Sequence, residues 1–232
     1  MTAWQYAAYS GRLDILLKVW EWAEEKLPKG EVNNKLLLNT DSEGKTAFHE
    51  AVSERNEGVL WKLWEGAEEK RTREKITNKI LLAADNPGGT AWHWVVNWGK
   101  LDLFEKGWDW GEENLLNEEI VNKLLLITDN VGMTAWHWAA YNGKLNMLLE
   151  LWNRAEGKLT TEEINNKLLL ATDSEGMSAW HRAAFSRKLD IMLQVWEWAE
   201  KKFTTEEINN KFYLPQIRKD GPPCMRQCVR AI

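Results

Sequence analysis

The chain has 232 residues, a formal net charge of -5 and an apolar fraction of 44%, ample material to bury a sizeable core. Its Lys and Arg are scattered along an acidic chain, which leaves no gathered basic face for nucleic acid, and no apolar run approaches the ~20 residues that span a bilayer. The start, MTAWQYAAYSGR, lacks the basic segment and apolar run of a secretory signal, and both cysteines, Cys224 and Cys228, lie near the C-terminus, so a cytoplasmic location is expected.

Along the chain one box recurs: TAW at Thr2, TAFH at Thr46, TAWH at Thr90 and Thr134, and SAWH at Ser178, at a step of 44 residues without insertion or deletion. Trp20, Trp64, Trp108, Trp152 and Trp196 keep the same step, as do Asn34, Asn78, Asn122, Asn166 and Asn210, each followed by Lys. The pattern makes five units over residues 1–214, starting near 1, 41, 85, 129 and 173, and leaves 215–232 outside it. A fixed period of this kind is the signature of stacked supersecondary units that bury their apolar faces on one another.

The fourth unit shows the expected elements in order. Asp129, like Asp41, Asp85 and Asp173, is followed three residues on by glycine, here Gly132, and an Asp that bonds backbone ahead of it with a Gly free to take positive φ predicts a turn. A first helix is expected through TAWHWAAYN. A second, from Leu145 to about Glu156, carries Leu145, Leu148, Leu149, Trp152 and Ala155 at the spacing of one buried stripe. Thr160 with Glu163, and Thr204 with Glu207, stand at capping-box spacing, and Ile164 with Leu168 share a face, which predicts a short third helix.

The run DNVGMTAWHWAAYNGKLNMLLELW, from Asp129 to Trp152, resembles the ankyrin repeat, whose pattern is D-x-x-G-x-T-P-L-H-x-A-A-x-x-G followed by a leucine-rich helix. Two departures stand out: Ala replaces the usual Pro of the box and Trp or Phe usually replaces its Leu, and each unit is about 11 residues longer than the usual ~33. Alanine is itself an excellent helix former, so the loss of proline costs little, whereas the larger aromatic implies wider spacing between helices. The resemblance implies an all-α, ankyrin-like solenoid of five 44-residue units, each with a turn, a helix pair and a short extra helix.

Several residue classes invite a chemical role and have a simpler structural one. His49, His93, His137 and His181 fall in one column with no carboxylate or thiolate converging as zinc would require; the resemblance implies that this His bonds neighbouring turn backbone, with Gln5 standing in for it in the first unit. The column Trp20, Trp64, Trp108, Trp152 and Trp196, and that of Trp4, Trp92, Trp136 and Trp180, are expected to be core packing, with Trp22, Trp110 and Trp198 half-exposed. The pairs Glu118–Glu119, Glu162–Glu163 and Glu206–Glu207 suit the first turn of a helix. No nucleophile stands beside them and no glycine-rich phosphate loop follows a strand, so no enzyme, cofactor, metal site or small-molecule substrate is expected.

Positions free of packing duty are where a partner is read. Ankyrin proteins bind through the turn tips and the two residues after the A-A pair, which line a concave face. The resemblance places there Tyr9 and Ser10, Ser53 and Glu54, Asn97 and Trp98, Tyr141 and Asn142, and Phe185 and Ser186, with Lys45, Gly89, Met133 and Met177 at the tips. Aromatics are the usual anchors of protein interfaces, and the expected activity is binding of a protein or peptide, without nucleic acid or membrane. Alternatives are a regulatory segment of a longer channel, enzyme or signalling protein, or a gene fragment without its own function, since Met1 falls in the column of Lys45, Gly89, Met133 and Met177.

The end, PQIRKDGPPCMRQCVRAI from Pro215 to Ile232, has no helical stripe. Read from the third base of the Leu214 codon, its degenerate codons permit ATDSEGWTALHEAVCKGN, which restores a Thr 44 residues after Ser178. It is therefore expected to be a sixth unit read out of frame after one lost base, disordered, with accidental cysteines.

Overall fold

A computed structural model of the chain describes residues 1–28, 31–68, 80–115 and 117–208. The fold is all-α: among the described residues there is no strand, only the isolated bridges Ala84 to Thr90, Thr128 to Thr134 and Thr172 to Ser178. Two compact units divide it, Met1–Trp98 and Gly99–Ile232.

In the first unit α1 (Ala3–Tyr9), α4 (Ala47–Ser53) and α6 (Ala91–Trp98) are successive box helices, and α1 packs on α4 and α4 on α6. Each is short because its start and stop are both specified. Thr2 and Thr46 accept the backbone N–H three residues on, and Ser10 and Glu54 cap the far ends. Between the box helices lie the second helices α2 (Leu13–Lys26) and α5 (Glu57–Glu68), followed in the first repeat by α3 (Glu31–Leu36).

The second unit opens on α7 (Leu101–Asn114), then α8 (Asn117–Ile120) running into a π-helical turn at Val121–Leu125. Next come α9 (Ala135–Tyr141) and α10 (Leu145–Glu156), the latter with the bounds its apolar stripe predicts. A short α11 (Thr161–Ile164) leads into a second π turn at Asn165–Leu169, and α12 (Ala179–Phe185), α13 (Leu189–Lys202) and α14 (Thr205–Ile208) complete the described chain.

The link between the paired helices is a Schellman turn. Gly143 (φ 66°) donates to the Ala140 carbonyl at 3.3 Å and Lys144 to that of Ala139 at 2.9 Å, so two orphan helix-end carbonyls are satisfied while the chain reverses. The extra helix begins on a reciprocal cap: Thr160 N–H donates to Glu163 Oε2 at 3.0 Å and Glu163 N–H to Thr160 Oγ1 at 3.3 Å. Bonds from Thr160 backbone first, then from Lys167, hold the Glu163 carboxyl down at about 2.

Trp64, Trp108 and Trp152 are buried, as are Trp4, Trp92, Trp136 and Trp180; Trp20 and Trp196, at the first and last repeats, are half-buried. Two expectations are corrected. Trp110 and Trp198 are buried and not half-exposed, Trp198 because it lies against Trp136 and Trp152 of the preceding repeat; Trp22 of the same column is 55% exposed. The short third helix is the plain α3 in the first repeat, but in the third and fourth it is an α turn continued as a π turn, with Leu126 N–H bonding Val121 O at 3.0 Å and Leu170 N–H bonding Asn165 O at 2.9 Å. The expectation for residues 215–232, and the positions Asn78 and Asn210, lie outside the described residues.

Candidate interaction surface

The surface is built on the Asp–Gly turns. Asp129 Oδ1 accepts from Val131 N at 3.0 Å and Met133 N at 2.8 Å, while Asp129 N donates to Met133 O at 3.1 Å across a turn closed by Gly132 at φ 77°. Asp173 repeats the arrangement with Glu175 and Met177, and successive turns are tied directly, Ser174 N to Val131 O at 2.9 Å and Asn86 N to Glu43 O at 2.8 Å.

The second carboxylate oxygen takes a donor nine residues on, a column the sequence displays but whose role its hydropathy hides. Trp94 Nε1 donates to Asp85 at 3.2 Å, Trp138 Nε1 to Asp129 at 3.0 Å, and Arg182 Nε to Asp173 at 2.5 Å. In the second repeat that column holds Glu50, a buried carboxyl facing Asp41, which is raised above the usual carboxylate range first by burial.

In the histidine column, His137 clamps one repeat to the next. Thr134 N–H donates to His137 Nδ1 at 3.3 Å, and with Nδ1 accepting, Nε2 carries the proton and donates to Ala171 O at 3.1 Å. Gln5 performs the same task with an amide: its Oε1 accepts from Thr2 N at 2.6 Å and its Nε2 donates to Asn39 O at 3.0 Å and Lys45 O at 3.2 Å. His49 faces the equivalent carbonyls of Ala83 and Gly89, and burial lowers the pKa of both His49 and His137. Nδ1 of His49, His93, His137 and His181 each lies within 3.3 Å of the cap residue's backbone nitrogen.

At the far ends of the box helices stand the residues expected to meet a partner. In the first unit Tyr9, Ser10 and Glu54 are exposed, and Ser53, Asn97 and Trp98 half-buried. In the second unit Tyr141 and Phe185 are each 39% exposed and stack on each other, centroids 6.5 Å apart and planes 18° apart. Asn142 and Ser186 beside them are half-buried helix caps, with Asn142 Nδ2 donating to Trp138 O at 2.9 Å.

The turn tips need a correction. Met133 and Met177 are buried, because their backbone pairs with the turn Asp and pulls the side chain inward; Gly89, which has no side chain to present, is buried with its N–H bonded to Asp85 Oδ1 at 2.7 Å. Lys45 is half-buried and paired with Glu43 at 2.8 Å. The residue actually presented is two positions earlier, and Val131 is 49% exposed. Its column reads Glu43, Pro87, Val131, Glu175, an acid, a proline and a valine across four positions, and that variety was the available signal.

Among the described residues no group of three or more His, Cys, Asp or Glu side chains is placed to hold a metal ion, and no helix is long and apolar enough to cross a membrane. No protein-family model matches the chain, and no curated protein matches its sequence.

Proposed function

We propose that the chain is an ankyrin-like array of five units whose work is non-catalytic: it binds a protein or peptide through the ends of its box helices. The observation that carries the reading is the stacked, solvent-facing pair Tyr141 and Phe185, two large apolar rings kept in water by helices whose other faces are buried. Val131 lies exposed on the turn that precedes Tyr141's helix, and Glu175 on the turn that precedes Phe185's. Apolar anchors with a polar rim are the composition of a protein interface core and its margin. The polar groups near these rings bond backbone, as in Asn142 to Trp138 O, which leaves them caps and not reactive groups.

Tyr141→Ala combined with Phe185→Ala tests this. Both side chains are exposed at helix ends, so helical content should be unchanged. The peptides captured by the wild-type chain from a displayed library should be lost by the double variant, at least tenfold in affinity. Capture that survives the double substitution, with circular dichroism intact, would remove this surface from consideration.

A further inference from the structure

In the second unit the links between box helices and second helices carry lysines laid across the link of the repeat before. The Lys188 stem crosses Gly143, its Cδ 2.7 Å and its Cε 3.0 Å from where a Cβ on that glycine would stand, and the Lys144 stem crosses Gly99, its Cδ 3.0 Å from the equivalent point. A side chain at either glycine would claim that space. Both lysines are half-buried by this packing; in such a side chain the apolar stem covers backbone and the charged end keeps to solvent.

What these two ammonium groups lack is a carboxylate. Elsewhere in the unit Lys123, Lys158, Lys167 and Lys201 are each paired with a glutamate at 2.7 to 3.0 Å, and Arg154 and Arg182 are paired with acids too. Lys100, at the same position of the preceding repeat, reaches Asp102 at 3.4 Å. Two residues after Lys144 stands Asn146 instead, and Asp190, two after Lys188, is exposed without pairing to it. Among the described residues Lys144, Arg187 and Lys188 thus have no acidic partner, and Glu175, on the turn before Phe185's helix, is tied to Arg182 at 3.1 Å. Lys202 is also unpaired, in the last turn of α13, where the helix's own carbonyl end attracts a cation. On a chain of net charge -5, free cations therefore gather just past the two stacked rings, Lys144 three residues after Tyr141 and Lys188 three after Phe185.

We propose, on the reading that Tyr141 and Phe185 anchor a partner, that this partner is an acidic peptide segment: one of its apolar side chains lies on the two rings, and flanking Asp or Glu residues meet Lys144 and Lys188. Charge complementarity selects the occupant. A basic segment would bring like charge to two ammonium groups that nothing neutralises, and a neutral one would leave both without a counter-charge. Because each stem already lies along a glycine, less side-chain freedom is lost when the ion pairs form. Single-stranded nucleic acid also offers negative charge, but it needs open ring faces for its bases and a continuous basic groove. Here the rings stack on each other with planes 18° apart, and the exposed Asp190 interrupts the basic run.

Selection from a random peptide library displayed on phage, with the full chain as bait, tests this. Captured peptides should be enriched in Asp and Glu over the input pool, each with an aromatic or large aliphatic residue. Their binding should weaken at least tenfold as sodium chloride rises from about 0.05 M to about 0.5 M. Lys144→Met combined with Lys188→Met keeps an apolar stem over each glycine and removes the charges; with circular dichroism unchanged, it should bind the captured peptides at least tenfold more weakly. Lys144→Arg with Lys188→Arg should restore most of the affinity. A captured pool without acidic enrichment, or binding that neither salt nor the methionine pair weakens, would overturn the proposal; if Tyr141→Ala with Phe185→Ala still abolishes that capture, the aromatic surface itself stands. Acidic peptides that bind the Tyr141 and Phe185 double variant unchanged would overturn both readings, as would capture of no peptide at all. Tighter binding of a labelled oligothymidine strand than of the selected peptides would overturn the proposal in favour of nucleic acid.

Discussion

Trp198 lies flat on Trp152, with ring centroids 4.2 Å apart and planes within 4°, although the two residues are on different helices and neither neighbours the other in sequence. Burying an indole between two others removes its large apolar surface from water and adds a ring-on-ring contact. Trp198→Ala should therefore cost about 3 to 5 kcal/mol, the range of large-to-small core changes. Trp108→Ala, at a site with no solvent exposure, should fall in the same range. Trp22→Ala, exposed at the equivalent column, should change stability by less than about 0.5 kcal/mol. Urea unfolding of the three variants measures the contrast.

The histidine column predicts acid sensitivity. Burial, first among the causes, lowers the pKa of His49 and His137, so the unfolded chain takes up these protons before the folded one does. Stability is then fully present above the unfolded histidine value of roughly 6.5 and falls as pH drops below it. His137→Gln should keep both bonds, since Gln5 makes them with an amide at the equivalent place. The variant should lose less stability than wild type between pH 7 and pH 5, measured by melting temperature.

Two repeats carry arginine where the Schellman turn wants glycine. Arg55 and Arg187 sit at φ 59° and 58°, in the left-handed region that crowds Cβ against the following carbonyl. Arg55→Gly and Arg187→Gly should each stabilise the chain by about 1 kcal/mol despite the added entropy of unfolded glycine. Melting temperatures of the single variants and the double variant check the sign and the additivity.

Glu50 is the odd member of the column that donates to the turn aspartate. Burial first, then the nearby Asp41 and Glu43 against the opposing pull of Lys45, raises its pKa. A carboxyl raised in the fold contributes stability while protonated and loses it as pH climbs through the folded value. Glu50→Gln supplies the missing N–H at every pH, so it should stabilise by about 1 kcal/mol at pH 7. The gain should shrink at pH 4, where Glu50 itself is protonated, as melting curves at the two pH values would register.

Much of the helical layout was legible because the residues that start and stop each helix are local. Thr160 and Glu163 announce their cap by spacing alone, and the bounds Leu145–Glu156 follow from one apolar stripe. What stayed hidden depends on neighbours in three dimensions. Trp198 and Trp22 share a column and differ in exposure, 7% against 55%, and nothing in either local sequence says so, because Trp198 is covered by Trp136 and Trp152, distant in sequence. Met133 read as a displayed tip because its position in the pattern is right; its backbone bond to Asp129 turns the side chain inward. The surface pair Tyr141 and Phe185 was visible as two aromatics, but not as one stacked patch.

The π turn at Asn165–Leu169 follows an α turn with no loop between them, so the backbone there holds one residue more per revolution than an α-helix would. Removing a single residue from that stretch would let it relax into ordinary α geometry, with Ile164 before it and Leu169 after it still facing inward. The same deletion between Asp173 and Ser178 would take the Met177 N–H out of register with Asp173 Oδ1 and break the turn at once. Each repeat that carries the π turn thus contains a place where chain length is negotiable beside a place where it is not. Divergence among arrays of this construction should record that difference, with gains and losses of one residue gathering at the π turn and sparing the Asp–Gly segment.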